Sequence, residues 1–513
     1  MVKKVKLTGN DLTIEQIYEW ATAGDNEIEI SIDQNALKKM QVSRDYVHRV
    51  VKDGKPVYGI NTGFGALANK FIDRENLAQL QVNLIRSHCT GVGRPFNRTV
   101  SRAVMILRAN CLAGGNSGIN PELVDLLLAM INHGIIPVIP EKGSVGASGD
   151  LAPLAHIAIT LMGEGKVKFK GSVVPTMEAL KQIGKNPVVL GPKDGLALIN
   201  GTAVMAALGA IAIYESTRLM KLADILATLT LDAVKGSMKA YDEDIARLKP
   251  HPGQIQVASN LNKLLEGSKI IISHENCGKV QDPYSLRCVP QVHGACRQTL
   301  NHAKEVVDIE LNSVTDNPII FPEQDKVISG GNFHGEALAF CMDYLCMGLA
   351  ELCSISERRV EKMMNPTFSD LPAFLTKDSG LNSGLMIAHV TAAALTSENK
   401  YLCHPASVDS IPTSTDKEDH VSMGVTSGRK LHEVLYNTKR CFAIELLCNT
   451  QALDFQRPLK SSKPLEAVHD LIRSKVPFIE KDRMLSEDIE NIVKLIDSFE
   501  INKTVENIIG DLN

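Results

Sequence analysis

The sequence predicts a mainly α protein: a core bundle of long helices over residues 203–513, preceded by a smaller, mixed α/β N-terminal domain over residues 1–202. Three observations carry this reading. Apolar residues recur at helical spacing over 203–237, 289–312, 333–364, 384–402 and 421–452, stretches well beyond ordinary helix length. Strand-like alternation is confined to the first part of the chain, in EIEISID and KVKFKGSVVP. Polar, glycine-rich loops separate the helical stretches, as they do where interhelix connections carry function.

Taken in order, TIEQIYEWATA reads as a helix, EIEISID as a strand, and PVYGINTGFGAL as a strand-like entry into a glycine loop. Residues 73–90, 97–114 and 120–134 have helical spacing, GIIPVIPEKGSVGASGD connects them to a helix at 151–164, and KVKFKGSVVP reads as a small hairpin. The uncharged GLALINGTAVMAALGAIAIY approaches bilayer-spanning length. It continues into the amphipathic ESTRLMKLADILATLTLDAV, so one long helix buried in a bundle accounts for it and no membrane span is expected.

Composition narrows the function. Lys and Arg number 55 against 59 Asp and Glu, a net charge of −4 that offers no broad footprint for nucleic acid or an anionic membrane, so a small-molecule partner is expected. The start, MVKKVKLTGNDLTIEQ, lacks the apolar run of a signal peptide, which places the chain in the cytoplasm as an expectation. Eleven cysteines, an odd number without a C-x-x-C pair, fit reduced core thiols better than a disulfide frame. Neither HExxH nor another metal-ligand spacing occurs, so no metal is expected.

One stretch, GSVGASGDLAPLAH at 143–156, has two readings. It is a turn feeding a helix, with Ser148 or Asp150 as the cap and Pro153 in the first turn. Alternatively, Ala147-Ser148-Gly149 reacts with itself: an unhindered Gly149 nitrogen reaches the Ala147 carbonyl carbon, a five-membered ring closes, and the Ser148 hydroxyl leaves as water. The product is an imidazolone with an exocyclic methylidene, and Asp150 is placed to move protons. The order of residues matters only in the second reading, because a serine β-hydroxyl is what becomes the methylidene.

The stretch does not stand alone. YGINTGFG, LALINGT, VQDPYSLRCVPQVHG, NSVTDNP, ISGGNFHGEAL, SISERR, GLNSGLMIAHVTAAALTSENK and HPASVDSIPTS follow one another along nearly the whole chain. With GSVGASGDLAPLAH, this ordered set resembles the aromatic amino acid ammonia-lyases, whose members build a 4-methylideneimidazol-5-one (MIO) electrophile from Ala-Ser-Gly. The resemblance implies a long-helix bundle whose N-terminal domain carries the MIO loop, elimination of ammonia from an amino acid, and a homotetramer with shared active sites. MIO from Ala147-Ser148-Gly149, assisted by Asp150, is then the expected prosthetic group, with no metal or dissociable cofactor.

Residue by residue, the resemblance implies Tyr58 as the base for the β-proton, a role that needs a phenol pKa lowered towards working pH. Arg287 clamps the substrate carboxylate with its planar fork. Asn200, Gln281 and Tyr284 lie around the carboxylate, ring and amine, Phe333 packs over the prosthetic ring, and Met386 lines the substrate pocket. Ser87-His88 and Glu418 are similar to the histidine-specific members and imply L-histidine as substrate and trans-urocanate as product, with His88 and Glu418 reading the imidazole. Lys417 and Cys89-Thr90 depart from the usual residues at those places. A tyrosine or phenylalanine lyase, an MIO aminomutase, and a non-catalytic helical scaffold remain the alternatives.

Overall fold

Local capping sets the N-terminal helices. Thr13 and Gln16 close a capping box on helix Ile14–Thr22, Asp33 caps Gln34–Asp53, Asn97 caps Arg98–Ala113, and Asn120 with Pro121 opens Pro121–Asn132. The computed structural model describes residues 2–275, 278 and 280–513. Mainly helical architecture follows, with long helices Ala203–Ala233, Val289–Glu310, Glu336–Met364, Met386–Leu402 and Gly424–Asp454 close to the predicted stretches. The helix expected to begin at 333 starts at Glu336, since Phe333 and His334 belong to the preceding turn.

Strands are few and short. Lys3–Leu7 pairs in parallel with Ile28–Ile32, from Lys3 opposite Ile28 to Leu7 opposite Ile32. The expected hairpin is Lys166–Phe169 with Ser172–Pro175, extended by Ile136–Pro137. PVYGINTGFGAL does not enter as a strand; Gly59 (φ +74°) and Gly65 (φ +53°) bend the backbone through left-handed conformations that break the alternation. Helix Gln34–Asp53 and the C-terminal helices Lys463–Arg473, Ser486–Asp497 and Glu500–Ile509 are further elements.

Two compact units result, neither continuous in sequence. The first comprises 1–214, 303–343 and 405–429; the second comprises 215–302, 344–404 and 430–513. Where chain order suggests one cut after Thr202, hydrogen bonds draw later segments into the first unit: Leu12 N to Asn312 Oδ1 at 2.8 Å, Asn110 Nδ2 to Leu311 O at 3.1 Å, and Ile320 N to Asn116 O at 2.9 Å. Buried Lys193 and Asp316 add an ion pair at 2.9 Å. In the second unit, Asp224 accepts from His293, Arg297 and Asn260, and the buried Arg359 pairs with Glu445. Such buried charges are sustained because each is paired with an opposite charge and hydrogen-bonded to it.

Ala203–Ala233 and Glu336–Met364 are long and apolar enough to cross a membrane by composition, yet 78% and 67% of their apolar windows are buried within the chain. They are core helices here. None of the described cysteines is in a disulfide, and most are buried. Among the described residues no cluster of His, Cys, Asp and Glu has metal-binding geometry.

Candidate active site

In the first unit, the 143–150 loop is pinned on both sides of Ala147-Ser148. Val145 O accepts from Met423 N at 2.9 Å, and Gly146 O accepts from Ser422 Oγ at 3.0 Å and Gly335 N at 3.4 Å. On the other side, Asp150 N donates to Gly201 O at 2.8 Å. Gly149 (φ +72°) is required, because a Cβ there would run into the Gly201 backbone. Ala147 is buried and Ser148 half-buried at the bend.

Neither Ser148 nor Asp150 caps the helix that follows. Asp150 makes no side-chain bond to Leu151–Leu161, since its backbone (φ −100°, ψ 51°) is not in the extended conformation of a cap. Its Oδ2 instead accepts from Val204 N at 2.8 Å and Met205 N at 3.1 Å, capping helix Ala203–Ala233 from outside. Burial pushes the Asp150 carboxyl up to about 7, against the pull of the Met205 and Val204 amides and the Ser144 hydroxyl. A group held there is divided between its two protonation states at neutral pH.

That shift has a sign that a titration reads. Between about 4 and about 7 the folded chain keeps a proton on Asp150 that the unfolded chain, at its usual 3.8, has released. Stability therefore falls as pH rises through that window. About 3 units correspond to on the order of 4 kcal/mol. In a Ser148→Ala background, denaturant melts from pH 4 to 7 are expected to show this slope and Asp150→Asn to flatten it.

Glu418 sits over the bend. Ser148 Oγ donates to its Oε1 at 2.5 Å, and the Thr413 and Ser414 hydroxyls each donate to Oε2 at 2.8 Å. Burial alone would raise its pKa, but the hydroxyls of Ser148, Ser414 and Thr413, with His88 nearby, hold it below the usual carboxylate value. Glu418 is thus an anion at neutral pH. His88 Nδ1 lies 2.7 Å from Leu84 O; a carbonyl only accepts, so Nδ1 carries a proton and Nε2 is the nitrogen left for a ligand.

Tyr58 is half-buried in the same unit, and its hydroxyl accepts from Gly65 N at 3.5 Å. Burial pushes this phenol above its ordinary value, the Glu418 carboxylate adds to the rise, and the Gly65 N–H offsets only part. The lowering that a base requires is therefore not supplied by these neighbours. Asn200 is buried at the C-terminus of helix Asp194–Ile199, and its Oδ1 has no hydrogen-bond partner among the described residues. An orphaned acceptor of this kind marks a place where a ligand donor fits. Half-buried Phe333 lies in the turn whose Gly335 N reaches Gly146 O.

The remaining candidates belong to the second unit. Tyr284 opens the short helix Tyr284–Arg287 and is 70% exposed, with the Arg287 guanidinium 4.4 Å from its ring centre. Arg287 Nε is buried without a partner among the described residues, and Gln281 is exposed just before. Met386 is half-buried at the first position of Met386–Leu402. Sequence reasoning passed over Ser144, Thr413, Ser414 and Ser422, the hydroxyls that hold Asp150, Glu418 and the loop. The density of Ser and Thr in IPTSTDKEDHVSMG was the available signal.

These features have relatives. A sequence profile described as aromatic amino acid lyase matches residues 12–474. The chain belongs to this family. It is 48% identical to the histidine ammonia-lyase of Myxococcus xanthus over 504 residues, 98% of this chain and 99% of that one. Among solved structures it is similar to the histidine ammonia-lyase from Trypanosoma cruzi (43% identity, TM-score 0.92, 99% of this chain and 96% of that one). It is also similar to the tyrosine aminomutase from Streptomyces globisporus (36% identity, TM-score 0.93, 99% of both chains). As an aromatic amino acid lyase the chain is an enzyme, and its 147–150 loop fits the prosthetic group of that class: a small buried Ala147, a serine at the bend, Gly149 in a left-handed conformation, and Asp150 titrating near neutrality.

Proposed function

We propose that the chain eliminates ammonia from L-histidine to give trans-urocanate. One observation carries the substrate choice: Glu418, a carboxylate that still accepts from Thr413 and Ser414 after the Ser148 hydroxyl has left, and His88, whose Nε2 accepts when unprotonated, are two acceptors for a ring bearing N–H groups. Protonated imidazole has two such groups, whereas a phenol has one donor and a phenyl none. A buried acceptor left unmatched costs about 1–3 kcal/mol. The names of the relatives agree with this reading.

Ala147, Ser148 and Gly149 condense with loss of two waters to MIO, which supplies the electrophilic carbon that makes the substrate amine a leaving group. The chain's own groups do the rest. Arg287 holds the substrate carboxylate through paired N–H donors, and the Asn200 amide hydrogen-bonds near the carboxylate and the ring. Tyr58 removes the β-proton once its phenol is ionised. Glu418 and His88 fix the imidazole so that the β-carbon faces that oxygen.

The active enzyme is a homotetramer in which neighbouring protomers supply the Gln281, Tyr284, Arg287 and Met386 set. Support comes from the exposure of Tyr284 and from the apolar stripe of Phe340, Tyr344 and Met347, at helical spacing on Glu336–Met364 and open to solvent in the isolated chain. Absence of disulfides among the described cysteines suits a reducing cytoplasm.

Separate incubation with L-histidine, L-tyrosine and L-phenylalanine, followed by ultraviolet absorbance of the conjugated acrylate, tests the assignment. Urocanate is expected to form fastest; faster coumarate or cinnamate would move the substrate to another aromatic amino acid. Glu418→Gln removes the charge and keeps the shape. It is expected to lower kcat/KM for L-histidine by about 10- to 100-fold, the worth of one hydrogen bond to a charged group, and to narrow the preference over L-tyrosine.

A further inference from the structure

Helix Ala203–Ala233 begins after Thr202, a residue type whose hydroxyl ordinarily accepts from the first helical amides. Here those amides are taken by Asp150. Thr202 Oγ1 turns away and donates to Glu310 Oε1, while Thr202 N donates to Thr315 Oγ1 at 3.4 Å. The preceding Gly201 is wedged, because a Cβ there would run into the Arg108 guanidinium and the Thr315 carbonyl. Its own carbonyl accepts from Asp150 N, and its backbone bridges to Gly149.

A continuous path therefore runs from Glu310 through Thr202 and Gly201 to the C-terminal side of the reacting tripeptide. We propose that Glu310, acting through Thr202, is a positioning residue for ring formation at Ala147-Ser148-Gly149. The proposal rests on the ring-forming reading above. Closure needs the Gly149 nitrogen at bonding distance from the Ala147 carbonyl carbon, and a loop anchored at both ends reaches that geometry at lower entropic cost. Met423, Ser422 and Gly335 anchor the first end; Gly201 anchors the second.

Without its carboxylate partner, the Thr202 hydroxyl rotates back to the local helix amides and competes with Asp150 for them. Asp150 is then released from the helix end, and the Gly201 carbonyl loses its fixed direction. Glu310 bonds to Thr202 and not to the tripeptide, but its charge also raises the Asp150 carboxyl, so the Thr202 variants, which leave that charge in place, isolate the backbone path.

The test follows the mass of the 147–149 peptide in full-length chains sampled at intervals after translation is stopped. Ring formation is expected to slow about tenfold in Glu310→Ala and Thr202→Val, which lose one hydrogen bond to a charged group. Glu310→Gln keeps the acceptor and Thr202→Ser keeps the donor, so both are expected within about twofold of the wild type. Circular dichroism and assembly size identify folded chains. If Glu310→Ala fails to fold, the Thr202→Val and Thr202→Ser pair decides. Folded variants that lose both waters at the wild-type rate overturn the positioning role. A wild-type chain that retains both waters overturns the ring-forming reading itself, and this proposal with it.

Discussion

Ser148→Ala is expected to abolish turnover, with kcat down on the order of 10³-fold or more, while the chain folds normally. The loss is chemical: alanine has no β-hydroxyl to expel, so no methylidene forms and no side chain replaces an electrophile of that kind. The structural loss is small, since among the described residues the half-buried hydroxyl of the unreacted chain makes one hydrogen bond, which ring formation itself removes, and Glu418 keeps Thr413 and Ser414. That costs about 1 kcal/mol. Intact mass and a thermal melt measured on one sample separate the two effects. The variant should keep both waters and melt within a few degrees of the wild type, whereas a wild-type level of turnover would remove the prosthetic group from the mechanism.

Tyr58→Phe is the second large effect, an expected fall in kcat of about 10²- to 10⁴-fold, the usual worth of a positioned base. Stability should hardly move, because among the described residues the phenol's hydrogen bonding is one long contact to Gly65 N. The pH profile is the sharper readout. Burial and the Glu418 carboxylate raise the Tyr58 pKa, so the phenolate is a minor form at neutral pH and its population grows tenfold per pH unit below that pKa. Log kcat/KM is expected to climb with pH in the wild type and to lose that climb in Tyr58→Phe. An unchanged climb would assign the base to another group.

Long helices were legible because they bury one stripe over many turns, and the periodicity of 203–237 or 421–452 repeats often enough to stand out. The glycine loop at Tyr58 was misread at its entry, because short apolar runs before glycines look alike whether they pair or turn. Asp150 was placed beside the right chemistry but given the wrong helix. Capping rules look to the next residues in sequence, while the amides it caps belong to a helix starting some fifty positions later. Glu310 carried no signal at all: it ends a long helix, and what distinguishes it is its contact with Thr202 and its charge near Asp150.

By itself the sequence determined the tripeptide proposed to react, since Ala-Ser-Gly order and a serine hydroxyl are covalent facts that folding does not alter. It also determined the helical frame, through apolar spacing, and the family, through ordered motifs. The tertiary structure alone decided the electrical state of the site. Glu418 meets Ser148 across 270 residues of chain, His88 exposes one particular nitrogen, Asp150 is raised to about 7, and Tyr58 is raised rather than lowered. The reason is physical: a pKa depends on how much water is removed from a group and on which donors and charges surround it, and those neighbours come from segments that only folding brings together.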